Sequence, residues 1–327
     1  MRLILMGTGP FAVPTFQTLL EAATHAVVAI VARPPTRGKG RKQASISPVI
    51  ELAHRCDRPV WTPQDINDEP ARRQLGAYQA DLLVVCDYGQ ILAAETLATT
   101  QLGGVNLHGS LLPRYRGAAP VNWAIWDGEQ ETGISVIHMT PRLDAGPILA
   151  ARRTPIAPSE DAVRLERRLA RLGIEGVQDA LALLAKWDGH RAIGIRQDPA
   201  QATRAPRLKK ADGNVNWSQS AQRIRNQVRA LKPWPGTFTT WNRGTKPTRL
   251  ILNEVTVVAP SSSARDFRPG QVARNDSAHL WVATGDGLLA VESIQPAGKR
   301  PLTITEFLRG YALREGMQLG NAPTAEP

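Results

Sequence analysis

The chain has 327 residues, 42% of them hydrophobic and 21% charged, and a formal net charge of +11. This length predicts two domains, and the ordinary globular composition excludes a disordered or low-complexity chain. Two cysteines are too few for a disulfide framework or a cysteine-based zinc site, and no apolar run approaches the length of a membrane span. Cys56 and Cys86 lie in apolar surroundings, so we expect buried thiols in a reducing, cytoplasmic compartment.

The first 90 residues alternate apolar strands with helices. We predict strands at residues 3–7, 25–32, 60–61 and 81–86, and helices at residues 12–20, 48–55 and 69–75. This alternation predicts an α/β fold with a Rossmann-like, doubly wound, mostly parallel sheet.

The turn after the first strand, Gly7-Thr8-Gly9-Pro10-Phe11-Ala12, fits the dinucleotide pattern G-x-G-x-x-A. That fingerprint also requires an acid near the end of the second strand, where this chain has Arg33 followed by two prolines. Pro10 removes one of the backbone N–H groups that would hold a pyrophosphate. We therefore reject a dinucleotide site and predict that the glycines turn the chain tightly.

A basic stretch, RPPTRGKGRKQ, occupies residues 33–43. It has no apolar side chain to bury beyond its prolines, so it predicts a surface loop. Its cations suggest a flexible arm for phosphates, and an exposed loop without a partner is the alternative. The candidate phosphate-binding residues are Arg37, Lys39, Arg41 and Lys42.

The central stretch, residues 103–150, holds the best candidates for catalysis. Asn106 and His108 alternate with Val105 and Leu107, so both polar side chains project from one face of a predicted strand. A loop rich in Pro and Gly follows, and open α/β sheets bind ligands at this end of their strands. Asp144 comes in a second such turn. An amide, an imidazole and a carboxylate suit the transfer of an acyl group between nitrogens.

The later part of the chain changes character. We predict a helix at residues 159–171 that Gly173 breaks, a second helix to residue 187, a linker at 188–206, and a helix at 218–231. Short strands at residues 237–241, 249–258, 270–272, 280–284 and 288–294 predict a small, OB-like β-barrel that binds oligonucleotides or sugars. A structural lid is the alternative.

Most of the positive charge belongs to this later part. From residue 205 onward there are 17 Lys and Arg against 9 Asp and Glu, whereas the first 204 residues carry 23 against 20. A basic part joined to a nearly neutral part predicts a catalytic body with an appendage that grips a polyanion. A merely basic surface is the alternative.

Five motifs carry a resemblance over nearly the whole chain. They are NLHGSLLPRYRGAAP with LDAG downstream, MGTGPFAVP, DYGQIL, KKADGNVNWSQSAQRIRNQVRALKPWPGTF and VATGDGLLAVESIQPAGKR. The central motif resembles the folate-dependent formyltransferases, and the C-terminal motifs resemble those that act on methionyl-tRNA. The resemblance implies transfer of a formyl group from 10-formyltetrahydrofolate to the methionyl amino group of initiator tRNA. It calls for no metal.

The resemblance also implies roles for individual residues. Asn106, His108 and Asp144 match the catalytic triplet, and the basic loop matches an insertion that reaches the tRNA acceptor stem. Two segments match the folate site, namely Ser110, Leu111, Leu112 and Pro113, and Cys86, Tyr88, Gly89 and Ile91. Asp87 departs from the family pattern, which has an apolar or small residue there, and Ala145-Gly146-Pro147 replaces a more polar version.

The predicted organisation is a catalytic domain at residues 1–187, a linker at 188–206, a tRNA-binding barrel at 207–315 and a tail at 316–327. We expect a cytoplasmic monomer. Three other functions were considered: a sugar-amine formyltransferase, a formyl-folate hydrolase and an RNA-binding module without activity. The first two leave the basic C-terminal part without a role, and the intact triplet argues against the third.

Overall fold

The structure, a computed structural model, describes residues 1–35, 46–243, 246–259, 267–276 and 278–320. Two compact units make up the chain. The first comprises Met1–Val121, Gln130–Ile156 and Arg164–Arg207. The second comprises Asn122–Glu129, Ala157–Val163 and Leu208–Pro327. Among the described residues, no helix is long and apolar enough to cross a membrane.

The first unit is built on a seven-stranded sheet. Its strands are β1 (Arg2–Gly7), β2 (Ala26–Val31), β3 (Val60–Trp61), β4 (Leu82–Cys86), β5 (Gly104–His108), β6 (Glu131–His138) and β7 (Ile148–Pro155). They lie in the order β3-β2-β1-β4-β5-β6-β7. The first five are parallel, and β6 and β7 each run antiparallel to the strand before them. The predicted Rossmann-like, mostly parallel sheet is confirmed.

The helices of the chain up to residue 184 follow these strands, and two of them include residues of the second unit. They are α1 (Val13–Glu21), α2 (Pro48–Arg55), α3 (Glu69–Ala77), α4 (Ala94–Leu97), α5 (Pro120–Asp127) and α6 (Ala162–Leu184). Helix α2 begins as the sequence predicts, because the Ser47 hydroxyl accepts a hydrogen bond from the Ile50 N–H at 3.2 Å and Pro48 stands in the first turn.

Helix α6 corrects one prediction. The sequence predicts that Gly173 breaks the helix, but α6 continues through Gly173 and Gly176 to Leu184. A Cβ atom added at Gly173 would lie 2.5 Å from the Leu107 side chain, and one at Gly176 would lie 2.5 Å from Ile134. The glycines therefore let the helix approach β5 and β6 closely, and tertiary packing overrides their low helix propensity.

Strand β7 was not predicted. It pairs with β6 and, at Ile148 alone, forms an isolated antiparallel bridge with Ile195; from Ala151 onward its side chains alternate between exposed and half-buried. Arg152 and Arg153 lie in this strand, and Arg153 forms an ion pair with Glu131 of β6 at 2.6 Å. An edge strand with charged residues lacks the apolar run that marks a buried strand in a sequence.

The glycines of the first turn serve close packing. Gly9 has an ordinary φ of −85°, so its backbone conformation is open to other residues and the need for glycine comes from close contacts. A Cβ at Gly7 would lie 2.7 Å from Phe16, and one at Gly9 would lie 1.6 Å from the Asp87 carboxylate. A carboxylate therefore lies where the dinucleotide fingerprint would place its pyrophosphate, which agrees with the rejection of a dinucleotide site.

The second unit is an antiparallel half-barrel of six strands. They are β8 (Thr237–Arg243), β9 (Lys246–Val258), β10 (Val272–Asn275), β11 (Leu280–Ala283), β12 (Leu288–Pro296) and β13 (Leu302–Thr303). The order is β10-β11-β12-β9-β8, and β13 pairs with β12. The predicted second, smaller β domain is confirmed, while β13 and helix α8 (Ile304–Gly310) were too short to predict.

The core of the second unit lies between this sheet and helix α7 (Ala221–Ala230). Ile224 and Val228 of the helix pack with Leu250 and Leu252 of β9, and all four are buried. Leu319, in the segment that the sequence assigns to a tail, is also fully buried, and its N–H donates to the Gly270 carbonyl at 2.8 Å. The chain up to residue 320 therefore belongs to the packed part of this unit.

The arginines of α7 hold the two short segments of the second unit. Arg223 donates to the Trp126 carbonyl and to the Asp127 carboxylate, both at 3.0 Å. Arg225 donates to the Pro158 carbonyl at 2.6 Å, and Arg229 donates to the Glu160 carbonyl at 3.1 Å. These cations are used within the protein.

Candidate active site

Strand β5 places Asn106 and His108 at the carboxyl end of the parallel sheet. Register pairs Val85 of β4 with Asn106, and Ser135 of β6 with His108. Leu107, between them, points the other way, toward Gly173 of α6. His108 is 6% exposed, so its ring is held by protein on most sides. The predicted sharing of one face by the two polar side chains is what the strand geometry produces.

Asp144 lies at the centre of the candidate triplet. Its carboxylate accepts hydrogen bonds from Asn106 Nδ2 at 3.3 Å and from the Gly117 N–H at 2.8 Å. His108 Nδ1 lies 3.7 Å from Asp144 Oδ2. His108 Nε2 lies 2.9 Å from the Tyr115 carbonyl, and because a carbonyl only accepts, that nitrogen carries a hydrogen. The structure thus brings the three predicted residues together.

The Asp144 turn depends on an unpredicted residue. Asp144 has a φ of +49°, which few residues other than glycine, Asn and Asp adopt. The amide of Gln197 donates to the Asp144 carbonyl at 2.8 Å and to the Gly146 carbonyl at 2.7 Å. Arg116 donates in turn to Gln197 Oε1 at 2.6 Å. Gln197 therefore fixes the backbone that carries the carboxylate.

The loop after β5 is held by a second segment from the predicted linker. Thr203 accepts hydrogen bonds from the Tyr115 N–H through its hydroxyl, at 2.8 Å, and from the Arg116 N–H through its carbonyl, at 2.9 Å. At Gly117, where φ is +129°, an added Cβ would lie 2.5 Å from the Ala205 carbonyl oxygen. The stretch at 188–206 therefore supports the site as well as connecting domains, and its weak periodicity gave no signal of this.

Ser110 to Pro113, predicted for folate, form the first part of this loop. Ser110 is fully buried, and its hydroxyl donates to the Arg114 carbonyl at 2.7 Å. The Leu112 N–H donates to the Ser135 hydroxyl at 3.0 Å, and that hydroxyl donates to the Ser110 carbonyl at 2.8 Å. Ser110 and Leu112 hold the loop, which leaves the half-buried Leu111 and Pro113 accessible to a ligand.

The second predicted folate segment follows β4. Cys86 is fully buried and Tyr88 is 2% exposed, so neither side chain is open to a ligand. Burial also raises the pKa of the Cys86 thiol, which agrees with the expected inert, buried cysteine. Gly89, with a φ of +81°, and Ile91, which is 60% exposed, are accessible. An exposed isoleucine beside a strand end offers an apolar surface to a flat ligand.

Asp87 lies between the turn at Gly9 and β5, the strand that carries Asn106 and His108. The sheet register pairs Gly7 of β1 with Cys86, the last residue of β4. Asp87 is the residue after Cys86, so it lies between β1 and β5 at the carboxyl edge of the sheet. The pKa of the Asp87 carboxyl is raised to about 6, mainly by burial and also by the charge of Glu166, while the charge of Arg207 opposes the rise. No described residue donates a hydrogen bond to this carboxylate.

Most of the predicted basic loop, from residue 36 onward, lies outside the described residues, and this part includes Arg37, Lys39, Arg41 and Lys42. Arg33, the first residue of the loop, is described, and its guanidinium donates to the Gly89 carbonyl at 3.3 Å. Across the described parts of the chain, no three His, Cys, Asp or Glu side chains are grouped as a metal ion would require.

Comparison with known proteins decides the family. The family described as formyl transferase matches residues 1–181, and the one described as formyl transferase, C-terminal domain, matches residues 207–312. The methionyl-tRNA formyltransferase of Rhodopirellula baltica is 42% identical over 98% of this chain and 96% of its own length. The chain belongs to the methionyl-tRNA formyltransferase family. The resemblance predicted from the motifs is confirmed.

Solved structures agree on the fold. An N-formyltransferase from Helicobacter canadensis, in complex with folinic acid and dTDP-3-aminofucose, has a TM-score of 0.63 at 15% identity and covers 90% of this chain and 98% of its own. HypX from Aquifex aeolicus in complex with tetrahydrofolic acid has a TM-score of 0.58 at 16% identity and covers 95% of this chain and 47% of its own. At these identities the likeness concerns the fold alone.

Proposed function

We propose that this protein transfers the formyl group of 10-formyltetrahydrofolate to the amino group of the methionyl residue on initiator tRNA. The observation that supports this most directly is the meeting of Asn106, His108 and Asp144 at the carboxyl end of β5, in a chain of this family. The product is N-formylmethionyl-tRNA, which serves translation initiation.

The main requirement of this reaction is stabilisation of the negative charge that develops on the carbonyl oxygen, because the proton lost by the amine is balanced by the proton gained by the folate. The methionyl nitrogen forms a bond to the formyl carbon, and the carbonyl oxygen becomes an oxyanion. When the bond between that carbon and N10 of the folate breaks, N10 gains a proton and the amine has lost one. The Asn106 amide keeps one N–H that Asp144 does not bind, and such a donor stabilises an oxyanion, while the His108 ring is bound through Nε2 to the Tyr115 carbonyl and turns Nδ1 toward Asp144.

Asp144 positions these donors. Its carboxylate binds one hydrogen of the Asn106 amide and lies beside the His108 ring, while Gly117 anchors it from the backbone. A carboxylate that is held in this way keeps the amide and the imidazole oriented before the substrate arrives. It also gives the departing amine proton an acceptor, and general acid–base groups contribute about 10²–10⁴-fold.

The folate site is assigned to the crevice between the segment after β4 and the loop after β5. Gly89 and Ile91 on one side, and Leu111 and Pro113 on the other, are its accessible residues. Exposed apolar side chains suit a pteridine ring, and the surrounding peptide groups suit its amide-like edge. Cys86, Tyr88 and Ser110 support this crevice from inside the fold, and Leu112 through its backbone.

Two basic regions are assigned to the tRNA. The C-terminal part, residues 207–315, supplies phosphate affinity, and Arg37, Lys39, Arg41 and Lys42 position the acceptor end. One region alone would anchor a long acceptor arm without aiming its terminus, whereas two regions do both. The catalytic part is residues 1–187, and we infer a cytoplasmic monomer.

One assay tests the function. Purified protein is mixed with 10-formyltetrahydrofolate and methionyl-initiator-tRNA, and formyl-methionine is measured after deacylation. Parallel reactions contain free methionine, a UDP-amino-sugar or no acceptor. Formylation of methionyl-tRNA alone supports the proposal, and Asn106→Ala should reduce it by about 10²–10³-fold. Preferred formylation of the sugar, or folate hydrolysis at the same rate without an acceptor, would replace it with one of the rival functions.

A further inference from the structure

Gln197 is a buried amide whose hydrogen-bonding groups are all used. Its side chain belongs to a residue that is 6% exposed, and its amide nitrogen donates to the Asp144 carbonyl at 2.8 Å and to the Gly146 carbonyl at 2.7 Å. Its amide oxygen accepts from Arg116 twice, from Nη2 at 2.6 Å and from Nε at 3.1 Å. A primary amide offers two donors and one oxygen with two lone pairs, so Gln197 has no capacity left for a substrate.

The partners of Gln197 fix which way round its amide lies. A guanidinium only donates and a carbonyl only accepts, so the amide oxygen must face Arg116 and the amide nitrogen must face the carbonyls. A flipped amide would put N–H groups against the N–H groups of Arg116. The guanidinium therefore keeps both donors of Gln197 on the turn that carries Asp144.

The turn that these donors hold has a costly backbone conformation and no other donor. Asp144 has a φ of +49°, a region that residues with a side chain rarely adopt. Among the residues that the structure describes, only Gln197 donates to the Asp144 and Gly146 carbonyls. On the side of β6 the turn is tightly packed, because a Cβ at Gly146 would lie 1.8 Å from the His138 carbonyl oxygen. Without Gln197, two buried carbonyls lose their donor and reach water only if the turn moves.

These contacts close a ring through Asp144. Its carboxylate accepts from the Gly117 N–H at 2.8 Å. Its carbonyl is bound to Gln197, and Gln197 is bound to Arg116, the residue next to Gly117. The backbone of Arg116 is fixed in turn, because its N–H donates to the Thr203 carbonyl at 2.9 Å. Both the backbone and the carboxylate of Asp144 are thus held by the same loop.

The ring decides where the Asp144 carboxylate lies relative to the other two residues of the triplet. The carboxylate accepts from Asn106 Nδ2 at 3.3 Å and lies 3.7 Å from His108 Nδ1. Both distances are long for a hydrogen bond, so a shift of the turn by less than about 1 Å would separate the carboxylate from these partners. A misplacement of about 1 Å in an active site costs about 10²-fold in rate.

We propose that Gln197 is a positioning residue for formyl transfer, and that it acts through Asp144 by holding the turn in which the carboxylate meets Asn106. This inference rests on the proposed function and adds a segment outside the triplet to it. Because every hydrogen-bonding group of Gln197 is used within the protein, it contacts neither substrate. Its loss therefore slows the chemical step and leaves the affinities for folate and tRNA unchanged.

The test measures single-turnover formyl transfer to methionyl-initiator-tRNA at saturating substrates. In Gln197→Leu the rate should fall about 10–100-fold, with the affinity for each substrate within about twofold of that of the unchanged protein. Gln197→Glu keeps the length of the side chain and an acceptor for Arg116, but it puts a carboxylate oxygen against two carbonyls, and it should lose a similar factor. If Gln197 served only to anchor Arg116, Gln197→Glu would keep the normal rate, since it strengthens that contact, and the proposal would be wrong.

A double variant tests whether Gln197 acts through Asp144. Residues that act as a unit are not additive, so in an Asp144→Asn background Gln197→Leu should lower the rate by less than about threefold further. Multiplication of the two separate losses would show that Gln197 affects the rate by another route and would overturn the proposal.

Gln227 offers a matched control in the second unit. It is 5% exposed, and its amide nitrogen also donates to two carbonyls, those of Asp212 at 2.7 Å and Asn214 at 3.2 Å. Gln227→Leu should lower the free energy of unfolding as Gln197→Leu does, but it should leave the single-turnover rate at saturating substrates within about twofold. An equal loss of rate in both variants would mean that general destabilisation explains the effect and that Gln197 has no positioning role.

A measurement without substrates separates this proposal from the function. The Asp144 carboxylate protects the Gly117 N–H, so hydrogen exchange at this amide, followed by NMR, should be at least about tenfold faster in Gln197→Leu than in the unchanged protein or in Gln227→Leu. If the exchange changes in this way but the unchanged protein does not formylate methionyl-tRNA, the function is wrong and the link from Gln197 to Asp144 stands. If the unchanged protein formylates methionyl-tRNA and Gln197→Leu alters neither the exchange nor the rate, the function stands and the proposal is wrong.

Discussion

Helix α7 and strand β9 belong to the same basic unit, but their arginines make different contacts. Arg223, Arg225 and Arg229 of the helix each donate to a carbonyl or carboxylate of the two short segments that join this unit. Arg249 is stacked on Phe238 and has no described acceptor. A charge count treats all four alike, whereas their contacts separate three cations that are bound within the fold from one that has no described acceptor.

The first unit shows the same contrast between two carboxylates. Asp144 accepts from Asn106 and Gly117 and lies beside His108, so the protein uses it to position other groups. Asp87 lies against Gly9, and no described group donates to it. Variants at Asp144 and Asp87 test whether a carboxylate with hydrogen-bond donors in the protein matters more for activity than a carboxylate without them.

Asp144→Asn should have the largest effect. Asparagine tolerates the φ of +49°, but its amide turns one of the two acceptor oxygens into a donor, which then faces the donor of either Asn106 or Gly117. We expect single-turnover formyl transfer to fall by about 10²–10³-fold, with folate and tRNA binding almost unchanged. Asp57→Asn, at a φ of +50° in an exposed turn, is the control. Near-normal turnover in Asp144→Asn would remove Asp144 from the triplet.

Gly173→Ala should disturb Asn106 and His108 through the opposite face of β5, where Leu107 contacts α6. The new Cβ would lie 2.5 Å from Leu107, which stands between Asn106 and His108 in β5. Overpacking should cost about 1–3 kcal/mol of unfolding free energy, partly offset by about 1 kcal/mol of helix propensity. Denaturant unfolding measures this, and turnover should fall as well because β5 must shift.

The control is a glycine in another helix with free space around it. A Cβ at Gly76 of α3 meets nothing within 4 Å, so Gly76→Ala should stabilise the protein by up to about 1 kcal/mol. Equal stabilisation by both variants would show that α6 does not press on β5, and that Gly173 has no role in the spacing of helix and sheet.

Arg223→Ala should lower stability and leave tRNA binding unchanged, because its guanidinium is bound within the second unit. It loses two hydrogen bonds, to Trp126 and Asp127, in a partly solvated position, so the expected loss is about 1 kcal/mol. Thermal unfolding and the salt dependence of tRNA binding are measured together. A reduced salt slope would mean that α7 contacts phosphate and that Arg223 does more than hold the fold.

The local patterns of the sequence predict most of the fold and the three central residues. Alternation in β5 was enough to place Asn106 and His108 on one face, and the turn residues around Asp144 marked it as accessible. Each of these residues is marked by the few residues around it in the chain, and sequence patterns describe such short segments.

What the sequence did not reveal depends on contacts between distant segments. Gln197 and Thr203 support the site from a stretch without periodicity, and their partners lie 53 and 88 residues away along the chain. Gly173 was interpreted as a helix break because its low propensity is a local property, while the close approach of Leu107 is not. The partners of each arginine in the second unit are likewise set by tertiary structure.

Asp87→Asn should have the smallest effect, and its direction depends on pH. Burial raises the pKa of Asp87 to about 6 in the folded protein, above the value of about 3.9 expected in the unfolded chain. Between these two values the folded state holds more protons than the unfolded state, so stability falls as the pH rises through the window from about 4 to about 6. The charged carboxylate therefore costs stability at neutral pH.

Because solvent screens this charge, we expect Asp87→Asn to be about 1 kcal/mol more stable than the unchanged protein at pH 7 and equal to it near pH 4. Unfolding in denaturant at both pH values measures the difference, and Asp57→Asn reports the effect of the amide itself at a similar φ of +50°. If the advantage of Asp87→Asn were larger at pH 4 than at pH 7, attraction to Arg207 would outweigh burial, and Asp87 would belong with Asp144 among the carboxylates that the protein holds.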